Sequence, residues 1–153
     1  MPLVDAEGRL LGPFALMLLA PGVGSAVQQV GATLRTGTEL SSLGRELAIL
    51  TVAAHQRSAF EWEAHEHAAR QAGADSAQLQ AVLDGAVPDG LPEVETCVAR
   101  TARTLVTLQT LPDDDYDRAV ATLGTACVAE LVWLVGYYAM LALALAALRP
   151  GST

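Results

Sequence analysis

From Cys127 to Leu148 the chain is almost unbroken apolar sequence, with Glu130 the one charge inside it and Arg149 closing it. A run of this length can cross a bilayer or lie inside a helical protein, and length alone does not separate the two. A helix that is apolar on every side must be covered on every side. Burial in the fold and against copies of the same chain explains the run better than a lone C-terminal anchor. The expectation is therefore a homo-oligomer that needs no membrane.

The rest of the composition points the same way. The 153 residues suffice for one domain with a real core, 1–153, behind an irregular lead over 1–12. Apolar residues make up 52%, with few aromatics and abundant Ala and Leu, which favours helix. Few runs alternate with β-branched residues, so no sheet is expected. The fold class read from this is all-α, a bundle of about seven to eight helices. The formal charge is −8 and all nine basic residues are Arg, without a basic stripe. That argues against nucleic acid and against anionic membrane surfaces as partners. Cys97 and Cys127 lie inside helical patterns and form neither CxxC nor a zinc spacing. They read as buried free thiols in a reducing, cytoplasmic compartment. MPLVDAEGRLLG has no basic n-region, so it is not expected to be a secretory signal.

Taken in order, PFALMLLA predicts a short helix over Pro13–Ala20, and Gly22–Arg35 a second one, loosened by Gly24 and Gly31. Ser41 or Ser42 caps a third. Phe60–Ala72 is the fourth, stopped by Gly73, and Asp75 with Ser76 opens a fifth to about Leu83. DGAVPDGLP is the clearest loop. Glu93–Gln109 follows, with Val94, Cys97, Val98 and Leu105 towards the core. Asp113–Asp115 give the seventh helix an acidic first turn, favourable to its dipole, and Gly124 and Thr125 start the last.

Against this background one stretch is anomalous: ELAILTVAAHQRSAFEWEAHEHAARQAG, Glu46–Gly73. On the fourth helix Glu61 and His65 are i,i+4 neighbours amid Ala64, Ala68, Ala69 and Ala72, while Glu63, Glu66, His67 and Arg70 already supply the opposite face. On the third helix Glu46 shares a stripe with Leu43, Ile49, Leu50 and Ala53. A buried carboxylate costs several kcal/mol unless it is paired or protonated. Three ionisable groups on two apolar stripes are thus either a structural polar cluster or an active site. A metal centre is not expected. His65 and His67 stand roughly 200° apart round the helix, and Glu61 with His65 gives only two ligands.

ELAILxVA, then FEWxxH, then AAxxAG resemble the carboxymuconolactone decarboxylase and alkylhydroperoxidase D-like superfamily, as do GPFALMLLAPGVG near the start and ELVWLVGYYAML near the end. The peroxidase branch of that superfamily carries CxxCxxxH behind an upstream Glu. Aligned on His65, the two cysteine positions hold Ser58 and Glu61, and the upstream Glu falls on Glu46. The register is kept and both thiols are gone, which resembles the thiol-free, decarboxylase-like branch. The resemblance implies the alkylhydroperoxidase D-like fold, trimers or hexamers, and a cofactor-free decarboxylase or related lyase acting on a small carboxylated lactone or enol-forming acid.

The candidate catalytic residues are His65, Glu61 and Glu46. A carboxylate beside an imidazole raises its basicity and fixes its tautomer, and the pair can move a proton at a carbon next to an electron sink; Glu46 would tune it. The candidate substrate-binding residues are Arg57, Ser58, Trp62, Tyr137 and Tyr138. Arg57 could grip a carboxylate and the tyrosines could offer a phenol, while Ser58 and Trp62 have plainer roles as a cap and a packing residue. The alternatives are a non-catalytic oligomeric binding or scaffold protein of the same fold and, behind it, a hydroperoxide-reducing enzyme without the CxxC pair, which the missing vicinal thiols disfavour. An open site favours the enzyme, and a sealed, fully ion-paired cluster favours the scaffold.

Overall fold

The computed structural model describes Glu7, Gly8, Leu10 and residues 12–149. Most of the irregular lead expected over 1–12 lies outside the described residues. Among the described residues the chain forms eight helices and no strand: α1 (Pro13–Met17), α2 (Pro21–Thr36), α3 (Ser42–Gln56), α4 (Ala59–Gln71), α5 (Ser76–Leu83), α6 (Glu93–Leu108), α7 (Asp113–Leu123) and α8 (Thr125–Ala147). The all-α expectation holds.

The boundaries follow local chemistry. The first helix stops at Met17, short of the expected Ala20; Pro21 disfavours helical backbone at Ala20, which stands at φ −141°, ψ 78°, and itself serves as the first residue of α2. Gly24 lets α1 fold back onto α2, since a Cβ there would stand 2.2 Å from the Met17 carbonyl oxygen. The Ser41 hydroxyl caps α3 by accepting from the Gly44 N–H at 3.0 Å, and it donates to Glu95 at 2.7 Å, tying the start of α3 to α6. Asp75 and Gln78 form a reciprocal capping box at α5.

α3 is the central element. It packs against α4, α5, α6 and α8, and every residue from Glu46 to Ala53 is buried. Its Ala48, Ile49 and Val52 enter one core with Val98, Ala102 and Val106 of α6 and Leu131, Leu134, Tyr138 and Leu141 of α8. Its Leu47 and Leu50 enter a second with Ala69, Ala74, Leu79 and Val82. A helix buried on all sides can carry a carboxylate such as Glu46 only if the neighbouring helices supply partners.

Two expectations are corrected. Val94, expected towards the core, is 44% exposed; the first turn of α6 runs beyond the stripe Val98, Ala102 and Val106 that meets α3 and α8. α8 is covered on one side only. Leu131, Leu134, Tyr137 and Tyr138 face inward, while Val132, Trp133, Met140 and Leu143 are exposed. Among the described residues α8 is the one helix long and apolar enough to span a membrane, by length and composition only. Its inner side is committed to the protein core.

Candidate active site

Three helices, α3, α4 and α8, meet at His65. Residues Arg57 and Ser58 alone connect α3 to α4. Arg57 closes α3 in the left-handed region at φ 55°, its N–H bonded back to Ala53 and Ala54. The reversal lays α4 along α3 and brings His65 against Glu46. His65 Nδ1 lies 2.7 Å from Glu46 Oε2, a short charge-assisted contact in which Nδ1–H donates to the carboxylate. The other oxygen of Glu46 accepts from Arg45 Nε at 3.4 Å. On the far side of the ring, Nε2 lies 3.7 Å from Glu61 Oε2, within ion-pair distance but beyond a hydrogen bond. Glu46, nineteen residues away in sequence, is therefore the orienting partner, and the i,i+4 neighbour Glu61 faces the other nitrogen.

Glu61 is the unusual member. It is 3% exposed, and its Oε1 has no hydrogen-bond partner among the described residues. Burial raises its pKa above the ordinary carboxylate value, against the lowering effects of His65 and Arg35. Tyr138 stands edge-on to the His65 ring at 5.1 Å between centroids, and Tyr137 edge-on to Tyr138 at 5.3 Å. Burial raises both phenol pKa values, outweighing the charge and hydrogen bonding of Arg35. Both therefore stay neutral O–H groups at ordinary pH. The His65 side chain keeps 16% of its surface exposed, so the ring has a solvent side.

The pair of glutamates does not converge on one ion, since each addresses a different nitrogen of the same imidazole. No group of three or more His, Cys, Asp or Glu side chains suited to a metal ion occurs among the described residues.

The sequence-derived candidates separate into two places. His65, Glu61, Glu46 and Tyr138 come together, with Tyr137 packed on Tyr138. Arg57, Ser58 and Trp62 instead line a groove of about 460 Å³ with Ala53, Ala54, Ala59, Glu63 and Leu83, which shares no lining residue with the His65 cluster. Trp62 follows Glu61 by one residue, which turns it about 100° round α4, onto the second core. Ser58 stands at the N-cap of α4 but makes no side-chain capping bond. Arg35, not Arg57, is the arginine beside this cluster. It lies in the last turn of α2, against the two phenols. The available signal was Gly31 one turn earlier. A Cβ there would stand 2.1 Å from the Tyr137 phenol oxygen and 3.1 Å from Arg35 Nη1. That glycine makes room for the phenol and the guanidinium.

The burial of Glu61 gives a pH prediction. A raised folded pKa means that the folded protein holds a proton which the unfolded chain releases above the ordinary carboxylate value of 4.5. Stability from this group is then fully present below that value and is lost as pH rises through the folded pKa. Glu61→Gln mimics the protonated form and removes the dependence. Thermal unfolding of variant and wild type should agree near pH 4 and diverge in the variant's favour towards pH 8. A difference that stays flat over this range would refute the assignment of a buried, reluctantly ionised Glu61.

A model of the carboxymuconolactone decarboxylase family matches residues 21–103. The matched segment contains Glu46, Glu61 and His65, and also Arg35, while Tyr137 and Tyr138 lie beyond it. No curated protein matches the chain.

Proposed function

The chain belongs to the carboxymuconolactone decarboxylase family, and we propose that it is a decarboxylase or related lyase acting on a small carboxylated lactone or enol-forming acid. The observation that carries this reading is the asymmetry around His65. Nδ1 is held by Glu46 at 2.7 Å, while Nε2 faces a buried carboxyl whose Oε1 is unsatisfied. A structural ion-pair cluster would satisfy its buried oxygens. An unpaired buried oxygen beside a half-buried imidazole suits a site that is completed by a ligand.

The chemistry follows from that arrangement. The carbon–carbon bond to the departing carboxylate breaks, carbon dioxide leaves, and the electron pair passes into the conjugated carbonyl of the substrate. The substrate is its own electron sink, so the reading calls for no cofactor. The enolate-like anion takes a proton at carbon from His65 Nε2–H, and His65 regains one from solvent across its exposed edge. Glu46 stabilises the protonated ring and holds its orientation. Neutral Tyr138 and Tyr137 can donate hydrogen bonds to developing negative charge. The direct test is release of carbon dioxide when the purified protein is mixed with carboxymuconolactone. No release above the uncatalysed rate would remove the decarboxylase reading.

Thiols take no part in this scheme. Cys127 is buried and burial raises its pKa, which keeps it a poor nucleophile. Cys97 lies on α6 in a separate cleft between α6 and α7. Replacing both by Ala should leave turnover within about twofold of wild type, a difference of under roughly 0.5 kcal/mol. Complete loss in a folded double variant would point to thiol chemistry.

A further inference from the structure

The cleft between α6 and α7 encloses about 280 Å³ and shares no lining residue with the His65 cluster. From α6 it is lined by Glu93, Cys97, Arg100 and Thr101, which recur at the three- and four-residue spacing of one helix face. Asp115 and Arg118 line it from α7, joined by a 2.6 Å ion pair. Thr101 stands apart among the helical threonines. Thr51 and Thr107 each donate to the carbonyl four residues back, at 2.8 Å. Thr101 is 5% exposed, yet its hydroxyl makes no such bond to Cys97 and no other hydrogen bond among the described residues. Glu61 Oε1 is the one sealed side-chain polar atom without a partner among those residues, so the Thr101 hydroxyl opens onto the cleft. A nearly buried hydroxyl left open in this way suits a cleft that a polar ligand fills. The same wall holds a nucleophile. The Cys97 thiol is half-buried there, whereas Cys127 is buried in the core. Along the axis of α6, Glu93 stands about 6 Å to one side of Cys97 and Arg100 about 4.5 Å to the other, at roughly 1.5 Å per residue. Neither has an ion-pair partner among the described residues. An open carboxylate, a thiol and an open guanidinium follow one another along one wall.

We propose that Cys97 is a site of reversible S-thiolation by a small peptide thiol, one that carries an ammonium towards one end, a carboxylate at the other and its own sulfur between them. The Cys97 thiolate attacks one sulfur of the small disulfide. The old S–S bond breaks, a bond from Cys97 Sγ to that sulfur forms, and the other half leaves as a thiolate, which takes up the proton that Cys97 gave to solvent. The small disulfide is itself the oxidant, and its departing half is the sulfur that is reduced. Glu93 takes the ammonium, Arg100 takes the carboxylate, and the Thr101 hydroxyl takes a peptide group of the ligand. This site is independent of the proton-transfer reading of His65.

The test is a rate comparison at about pH 8, where a free thiol is partly ionised. The folded protein is mixed with glutathione disulfide or with cystamine, a disulfide that has ammonium groups and no carboxylate. Adducts are followed by intact mass and located by peptide mapping, and N-acetylcysteine, treated in the same way, gives the intrinsic reactivity of each disulfide. Glutathione disulfide should place one adduct on Cys97 and none on Cys127, and dithiothreitol should remove it. Its rate relative to cystamine should exceed that of N-acetylcysteine at least about tenfold, as one charge-assisted contact implies. Arg100→Gln and Glu93→Gln, both at exposed positions, should each bring that ratio down towards the N-acetylcysteine value. Thr101→Val should slow the glutathione reaction while the melting temperature holds or rises, since the hydroxyl it removes has no partner in the fold. Four results overturn the proposal: no adduct on Cys97, modification of Cys127 as fast as of Cys97, a ratio equal to that of N-acetylcysteine, or an unchanged ratio in folded Arg100→Gln and Glu93→Gln. A clear fall in melting temperature for Thr101→Val would also count against it, by showing that the hydroxyl serves the fold.

Discussion

His65→Gln should lower the rate on a carboxylated lactone by about 10²–10⁴-fold while the protein stays folded, because Gln keeps the size and polarity of the ring but cannot exchange a proton at neutral pH. Glu46→Gln should lose nearly as much. Its contact to Nδ1 is the short one, at 2.7 Å, and a neutral amide there neither stabilises the protonated ring nor dictates which nitrogen carries the proton. The two residues act as one device, so the double variant should be scarcely worse than His65→Gln alone, far from the product of the single losses. Glu61→Gln should cost less than either, since 3.7 Å to Nε2 is too long for a hydrogen bond that holds the ring. Melting temperatures decide how losses are read. Activity that falls while the fold survives marks the site, whereas full turnover in His65→Gln with only a lower melting temperature marks a structural cluster.

The second large effect is on stability and concerns α8. Leu131 is fully buried among residues of α3 and α6. Leu131→Ala should cost about 2–5 kcal/mol, the transfer of the side chain plus the cavity it leaves. For a chain of this size that lowers the melting temperature by roughly 5–20 °C. Trp133, two residues on, is 70% exposed. Trp133→Ala should stay within about 0.5 kcal/mol unless another copy of the chain covers it. Light scattering on wild type and Trp133→Ala reads that cover as a change of mass. Were Leu131→Ala as mild as Trp133→Ala in detergent-free buffer, α8 would not be the core helix described above.

Much of this was legible in the residues alone, for a physical reason. Glu46, Glu61 and His65 stand out because they break the apolar stripes of α3 and α4, and a stripe is a local property of sequence. The helix starts at Ser41 and Asp75 were legible for the same reason, since caps act within a turn or two, whereas the end of α1 at Met17 and the start of α2 at Pro21 were not. Which carboxylate holds which nitrogen was not. That depends on the reversal at Arg57 and Ser58, and a spacing of four along one helix made Glu61 look like the nearer partner. Arg35 was missed because its one local mark, Gly31 a turn earlier, reads as no more than a loosened helix; what surrounds it comes from Tyr137 and Tyr138, about a hundred residues later in the chain. Arg57 attracted attention by closeness in sequence, yet its left-handed backbone at the end of α3 places it on a different groove. The one-sided burial of α8 was hidden by composition, since the exposed Val132, Trp133, Met140 and Leu143 are as apolar as the buried face.

The central claim is that a fixed proton donor, His65, delivers hydrogen to carbon. Turnover in deuterium oxide measures this directly, with the product examined by NMR for where and on which face deuterium enters. A donor held by Glu46 on one side of the substrate should place one deuterium on one face of the newly protonated carbon, and His65→Gln should abolish that facial selectivity along with most of the rate. Deuterium distributed equally over both faces in the wild type would mean that solvent protonates a released intermediate, and would contradict the account.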